Sequence, residues 1–476
     1  MPFANCGRIA GIACTTMLLC ILSINPPVKA QSGSGNVPPW QQPPGKESQF
    51  RLPSAKLAAY EPAPRSTSED GETSTPKVHA TAPLKGSVLD DSQNIEADPG
   101  EPIFGGDEEC SDCISENCLN PFANRLWVRG EFLTMFSKSA SIQPLATTST
   151  AGTTRPSAGL LGVASTRVLF GRENEDIGII PGARFTMGYR MRPCEDSGLE
   201  VTYMFLGDKS LNFSATSDST AIIARPFWNE QTSLQDALIV AYPGQQTGNI
   251  NINLTNEFNT LEVLWRQAMT MQSGRQLDFL AGYRYGHFGE ALTINSTSTF
   301  TSQVGVLPVG TISQVTDQFS ALNDFQGAEL GFSTKKQYCR WSIEALGKFA
   351  IGNTRSKINI AGTSSITAPP NPVVTSQGGL LALPTNFTST EENNFTVMPE
   401  LGLTVGYDLT CRLKATMGYS FLYWSRVARP TDQIDLNVNT SQLSGGTLTG
   451  NSAPMFHNAL SDYWIQGLTF GLDYRF

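Results

Sequence analysis

The chain has 476 residues, of which only 16% are charged, with a formal net charge of −9 and a slightly negative mean hydropathy. Beyond the N-terminus no window holds about eighteen apolar residues. That excludes a transmembrane helix but not transmembrane strands, whose alternation halves their hydropathy. The acidic balance, with no nucleotide-binding loop, argues against a nucleic-acid partner.

The first thirty residues read as a secretory signal. Arg8 precedes the apolar run Ile9 to Ile24, and Val28-Lys29-Ala30 supplies small residues for cleavage after Ala30. Cys14 and Cys20 lie inside that run without a good lipoprotein box. Residues 31–120 then form a Pro/Ser-rich segment without periodicity, which predicts a disordered spacer ending in a cysteine cluster. It carries fifteen acids against six bases, a difference equal to the net charge of the whole chain, so the remainder is nearly neutral.

From Arg125 onward period-two alternation takes over. It predicts an all-β, antiparallel transmembrane barrel over residues 121–476. Ten strands are expected (eight to twelve within boundary error), at 125–137, 182–191, 198–210, 257–271, 277–294, 320–334, 341–359, 395–409, 413–427 and 463–476. A Gly-aromatic pair recurs at Gly188-Tyr189, Gly282-Tyr283, Gly331-Phe332, Gly406-Tyr407 and Gly418-Tyr419. Tight turns after every second strand alternate with long Ser/Thr/Asn/Gly-rich connections, a contrast typical of outer-membrane barrels and foreign to a soluble sandwich. An even strand number puts both chain ends on the short-turn, periplasmic side and the long loops outside.

Of the cysteines, Cys194, Cys339 and Cys411 fall in short turns, and Cys110, Cys113 and Cys118 just precede the first strand. The matching count and side predict that the three-cysteine segment is tied to three turns as a plug or cap. Local pairing or free thiols is the simpler alternative, and zinc at Cys110 and Cys113 a further one, though without a second pair or a nearby His.

The last strand presents Phe470, Leu472, Tyr474 and Phe476 on one face, with Asp473 and Arg475 on the other. A terminal aromatic on such a strand is the expected signal to the barrel-insertion machinery.

The stretches Arg125-Leu-Trp-Val-Arg-Gly-Glu-Phe-Leu133, Pro181-Gly-Ala-Arg-Phe-Thr-Met-Gly-Tyr-Arg190, Leu280-Ala-Gly-Tyr-Arg-Tyr285 and Asn323-Asp-Phe-Gln-Gly-Ala-Glu-Leu-Gly331, with the Tyr-Arg-Phe ending, carry a resemblance. Over roughly three quarters of its length the chain resembles the planctomycete β-barrel porin family of the seventh class. The resemblance implies an outer-membrane barrel; it implies no solute and no functional residues.

Alternation assigns eight acids to the lumen: Glu131, Glu200, Glu262, Asp278, Glu329, Glu344, Glu400 and Asp473. It assigns eight bases there as well: Arg129, Arg184, Arg190, Arg266, Arg284, Lys348, Lys414 and Arg475. Balanced charges in a narrow barrel pair with one another, because isolated buried charges are costly. The expectation is a narrow or plugged lumen of weak ion selectivity.

Trp127, Tyr203, Trp265, Trp341, Tyr423, Trp424 and Trp464 read as membrane-interface anchors. His79 lies in the tail, His287 near Glu290, and His457 ahead of Asp462; none accompanies a nucleophile motif, so no catalysis is expected. The leading expectation is porin-like passage of small solutes or ions, without cofactor or metal. A non-conducting structural or adhesive barrel touching cell-wall or surface components is the first alternative, and an outer-membrane enzyme the second. Membrane lipid is the constant partner.

Overall fold

The computed structural model describes residues 125–172, 174–175, 178–191, 197–272 and 275–476. The signal and spacer readings, and Cys110, Cys113, Cys118 and Cys194, lie outside those residues.

Ten antiparallel strands form the wall: β1 (Leu126–Ser137), β2 (Ile180–Arg190), β3 (Ser197–Thr216), β4 (Gln246–Gln272) and β5 (Arg275–Phe300), followed by β6 (Ile312–Tyr338), β7 (Trp341–Thr367), β8 (Thr388–Asp408), β9 (Leu413–Ala428) and β10 (Leu460–Arg475). Each pairs with its sequence neighbours, and β1 pairs with β10 from Trp127↔Arg475 to Ser137↔Ile465, so the sheet closes on itself. Closure leaves the short-turn half of the wall without an open strand edge, which a sheet surrounded by lipid requires.

Alternation along these strands has two regimes. Toward the short turns, apolar side chains point outward and charges inward. On β6, Phe332 and Leu330 are exposed while Ser333 and Glu329 are buried; on β8, Leu401 and Leu403 are exposed while Glu400 is buried. Toward the long loops the polarity reverses. On β4, Ile250, Ile252 and Leu254 are fully buried, while Asn249, Asn251 and Asn253 turn outward. The outward apolar band ends on β5 near Tyr283 and Tyr285; beyond it the outer face reads His287, Gly289, Ala291, Thr293 and Asn295.

The lower stretch therefore has the lipid-facing pattern of a membrane barrel, and the upper stretch that of a water-soluble one. The four longest strands, β4 to β7, have 27, 26, 27 and 27 residues. About ten suffice to cross a bilayer. All ten expected strands are present, but β4 to β7 run well past their expected long-loop ends.

The wall is uneven, because β1 and β2 have only 12 and 11 residues. Above this low side the connections build a second sheet of five short strands: Ala146–Ser149, Thr166–Phe170, Ile223–Asn229, Leu234–Ala241 and Asn437–Val438. They come from the β1–β2, β3–β4 and β9–β10 connections, which alternation had read as loops. The Leu380–Leu383 stretch of the β7–β8 connection is also buried there, and together these segments fill the upper barrel with an apolar core.

The recurring Gly-aromatic pairs have a local reason. The aromatic points to lipid, and at Gly188, Gly331 and Gly406 the glycine leaves room inside for a long neighbouring side chain. A Cβ on Gly331 would meet Lys348 Cγ at 2.8 Å, and one on Gly188 would meet the Trp127 ring at 2.2 Å. That contact places Trp127 on the inner face, and Trp424 is wholly buried in the lumen. Neither is the interface anchor that alternation suggested; both fill space within the barrel. Tyr203, Trp265 and Trp341 do face outward.

Candidate functional site: the barrel interior

The interior is a stack of side-chain layers. Nearest the short turns, Arg129 on β1 donates to Glu344 Oε2 on β7 at 3.1 Å and to Asp473 Oδ2 on β10 at 3.2 Å. Across the lumen, Arg266 on β4 bridges Glu200 on β3 at 2.7 Å and Asp278 on β5 at 2.6 Å. Lys414 on β9 meets Asp408 at 3.3 Å and donates to Ser342 Oγ at 2.8 Å. Arg190 and Arg475 lie at this mouth and join no ion pair among the described residues.

One layer up, Arg284 on β5 is completely buried among three carboxylates, Glu262, Glu400 and Glu329, the last at 3.2 Å. Lys348 on β7 donates to Glu262 Oε2 at 2.5 Å and to Glu400 Oε2 at 3.0 Å. Arg184 on β2 holds Glu131 at 2.6 Å and reaches Glu400 at 3.5 Å. Oxygens of Glu262, Glu329 and Glu400 lie within 4.8 Å of one another, close enough to grip a metal ion. The Arg284 guanidinium and the Lys348 ammonium already pair with all three, so the chain's own cations supply the charge that an ion would. Fourteen of the sixteen charges assigned to the lumen from sequence thus meet in ion pairs.

Above the charges lies an apolar layer to which every wall strand contributes. Leu133 and Met135 (β1), Ile180 (β2), Met204 and Leu206 (β3), Phe258 (β4) and Phe288 (β5) meet Phe325 (β6), Ala350 (β7), Met398 (β8), Trp424 (β9) and Tyr463 (β10). The Phe288 and Tyr463 rings stack at 4.0 Å, and Trp424 Nε1 donates to Thr354 Oγ1 at 3.0 Å. Phe288, Phe325 and Trp424 have 0% exposure, which side chains lining a water-filled lumen would not show.

The next layer joins wall and loop. Arg429 forms a two-armed pair with Glu290 at 2.8 Å on each arm and donates to the Ser139 carbonyl at 3.1 Å. Its pKa is raised by the Glu290 charge despite burial. Asn323 donates to the Ala428 carbonyl and accepts from its amide, both at 2.8 Å, tying β6 to the end of β9. Higher still, Asp317 Oδ1 accepts from the amides of Leu380, Leu381 and Ala382 at 2.9, 2.9 and 2.7 Å, and its other oxygen pairs with Arg225.

Asp317, Arg225 and Arg429 are not singled out by the sequence reading. Glu290 had been set beside His287, but the two point to opposite faces of β5. His287 faces outward, with Nδ1 2.7 Å from Asp324 and Nε2 2.8 Å from Glu257. Those two carboxylates push its pKa up to about 9. His457 lies 3.5 Å from Asp435, while Asp462 pairs with Lys138. Cys339 and Cys411 lie in the tight β6–β7 and β8–β9 turns, and both are partnered.

Residues 127–476 match the sequence family described as Putative beta barrel porin-7. No curated protein matches the chain. Among solved structures, the outer membrane protease OmpT from Escherichia coli is similar at 9% identity with a TM-score of 0.36, covering 75% of this chain and 99% of that one. A deletion mutant of the monoaromatic hydrocarbon channel TodX is similar at 10% identity with a TM-score of 0.19, covering 78% and 94%. Likenesses this weak carry no argument about activity.

Proposed function

The chain belongs to the Putative beta barrel porin-7 family, and from that premise we propose an outer-membrane barrel that is sealed across its interior and acts through its exposed upper part. The observation carrying this reading is the apolar layer built by all ten strands. A removable plug comes from a loop or a separate domain; here the obstruction is the wall's own side chains, resting on a cage of ion pairs. Of the two leading expectations, the geometry favours the non-conducting structural or adhesive barrel over open passage of solutes.

In the orientation we propose, the short turns are periplasmic and the polar upper wall with its loop sheet lies outside, facing cell-wall or surface components. Both described termini lie at the short-turn end, as an exported barrel with periplasmic ends requires. The strand face of Phe470, Leu472, Tyr474 and Phe476 would engage the insertion machinery. We also read Cys339 and Cys411 as disulfide-bonded, which anchors each of these two turns covalently.

The same reading makes the chain non-enzymatic. His287 and His457 are held by different carboxylates, one on the outer wall and one in a loop.

The test is conductance of the full-length mature protein in planar bilayers. The expected record is flat, without unitary steps, while heat-dependent gel mobility shows that the barrel is folded. Steady channels from folded protein would overturn the sealed reading and restore a porin. Gated passage is the second reading, favoured by the Arg429–Glu290 pair that latches the β9–β10 connection onto the wall. Under that reading, Glu290→Gln opens steps that the parent lacks.

A further inference from the structure

Six of the eight cations assigned to the lumen pair with a carboxylate, and one outward group of cations has no carboxylate partner among the described residues. Arg275 at the start of β5 and Lys336 near the end of β6 are direct cross-strand partners. Both point outward, two register steps below the outward ring pair Phe279 and Phe332, whose centroids lie 5.5 Å apart. Like charges set opposite each other across a strand pair repel. The described residues offer neither a carboxylate partner; the nearby Asp408 is turned inward to Lys414 and Gln337.

The surroundings extend the group. The Lys336 ammonium lies 4.1 Å from the centre of the Tyr338 ring. Tyr338 is paired across the turn with Trp341, whose ring packs on Tyr407 at 4.8 Å. The Arg340 guanidinium lies 5.5 Å from the Tyr407 ring and donates to the Leu409 carbonyl. Tyr338 and Trp341 are 49% and 55% exposed. Three cations thus sit among outward aromatics at the lower edge of the apolar band, where headgroups meet hydrocarbon.

We propose that Arg275 and Lys336 form a binding site for the phosphate of an anionic phospholipid in the leaflet facing the short turns, with Arg340 a separate cation farther along the same rim. The lipid phosphate would relieve the Arg275–Lys336 repulsion, while its chains lie along Phe279, Phe332 and Leu330. Fixed cations at this depth attract anionic lipid, and the cation–ring contacts hold the side chains level with the headgroups. The inference rests on the wall spanning a bilayer and is independent of whether the barrel is sealed.

The test compares spin-labelled phosphatidylglycerol with spin-labelled phosphatidylcholine around the full chain in phosphatidylcholine vesicles. The parent should select the anionic lipid. Arg275→Gln with Lys336→Gln should lower that selection roughly fivefold for each cation removed, with unchanged heat-dependent gel mobility. Lys336→Arg, which keeps the charge, should retain it. If the glutamine pair does not fold, Lys336→Gln alone should show the smaller loss. Equal association of the two lipids with the parent, or selection unchanged in folded variants, overturns the proposal. Inorganic phosphate at millimolar concentration should leave the selection intact; its abolition would make the site one for free phosphate.

Discussion

Arg284 is the residue on which the charged layer turns. With 0% exposure and three carboxylates around it, its removal strands buried negative charge, a loss of about 3–5 kcal/mol. Arg284→Met should therefore lower the denaturant midpoint of the folded barrel sharply, whereas Arg190→Met, at the mouth without an ion pair, should leave it nearly unchanged. His287 gives a pH-dependent counterpart. Its folded pKa of about 9 exceeds its ordinary 6.5, so its stabilisation is complete below pH 6.5 and fades as pH rises through 9. Its partly exposed partners are screened by solvent, so the effect is on the order of 1 kcal/mol. His287→Gln should flatten the stability profile between those pH values. Most of the inward charges could be read from alternation, because an inward Arg or Glu interrupts an otherwise apolar strand. The Arg429–Glu290 pair could not, since it joins a loop residue to a strand position whose partner lies 139 residues away.

At the scale of the strand, the reversal of polarity is what the sequence obscured. The period of two continues through Asn249-Ile250-Asn251-Ile252-Asn253-Leu254, but here the apolar set points inward. A search for outward grease stops at the upper edge of the lipid band and takes the rest for loop. The signal was present as alternating Asn and Ile; its meaning depended on which face the lower strand had turned to lipid. The two regimes predict opposite tolerances on one strand. Leu330→Arg, in the outward apolar band of β6, should cost about 2–4 kcal/mol in vesicle-folded protein. Gln318→Arg, twelve positions earlier on the same outer face, should change the unfolding free energy by less than about 0.5 kcal/mol.

For the whole molecule, closure and strand number followed from alternation and turn spacing, because both are local. The filled interior was only half legible. Paired charges were expected, but the apolar layer above them needs the relative height of ten strands, which register sets and no single segment carries. The five-stranded loop sheet was not legible at all. It joins pieces of three connections spread from Ala146 to Val438, through pairings with no local turn to announce them.

That sheet also bears on how the protein presents itself to antibodies. Loops of a barrel are commonly thought of as separate epitopes, each reproducible as a peptide. Here the β1–β2, β3–β4 and β9–β10 connections share one set of backbone hydrogen bonds, so what an antibody meets is assembled from all three. Sera raised against the folded protein should bind it strongly while recognising isolated loop peptides weakly, and sequence drift in one connection would be checked by the other two.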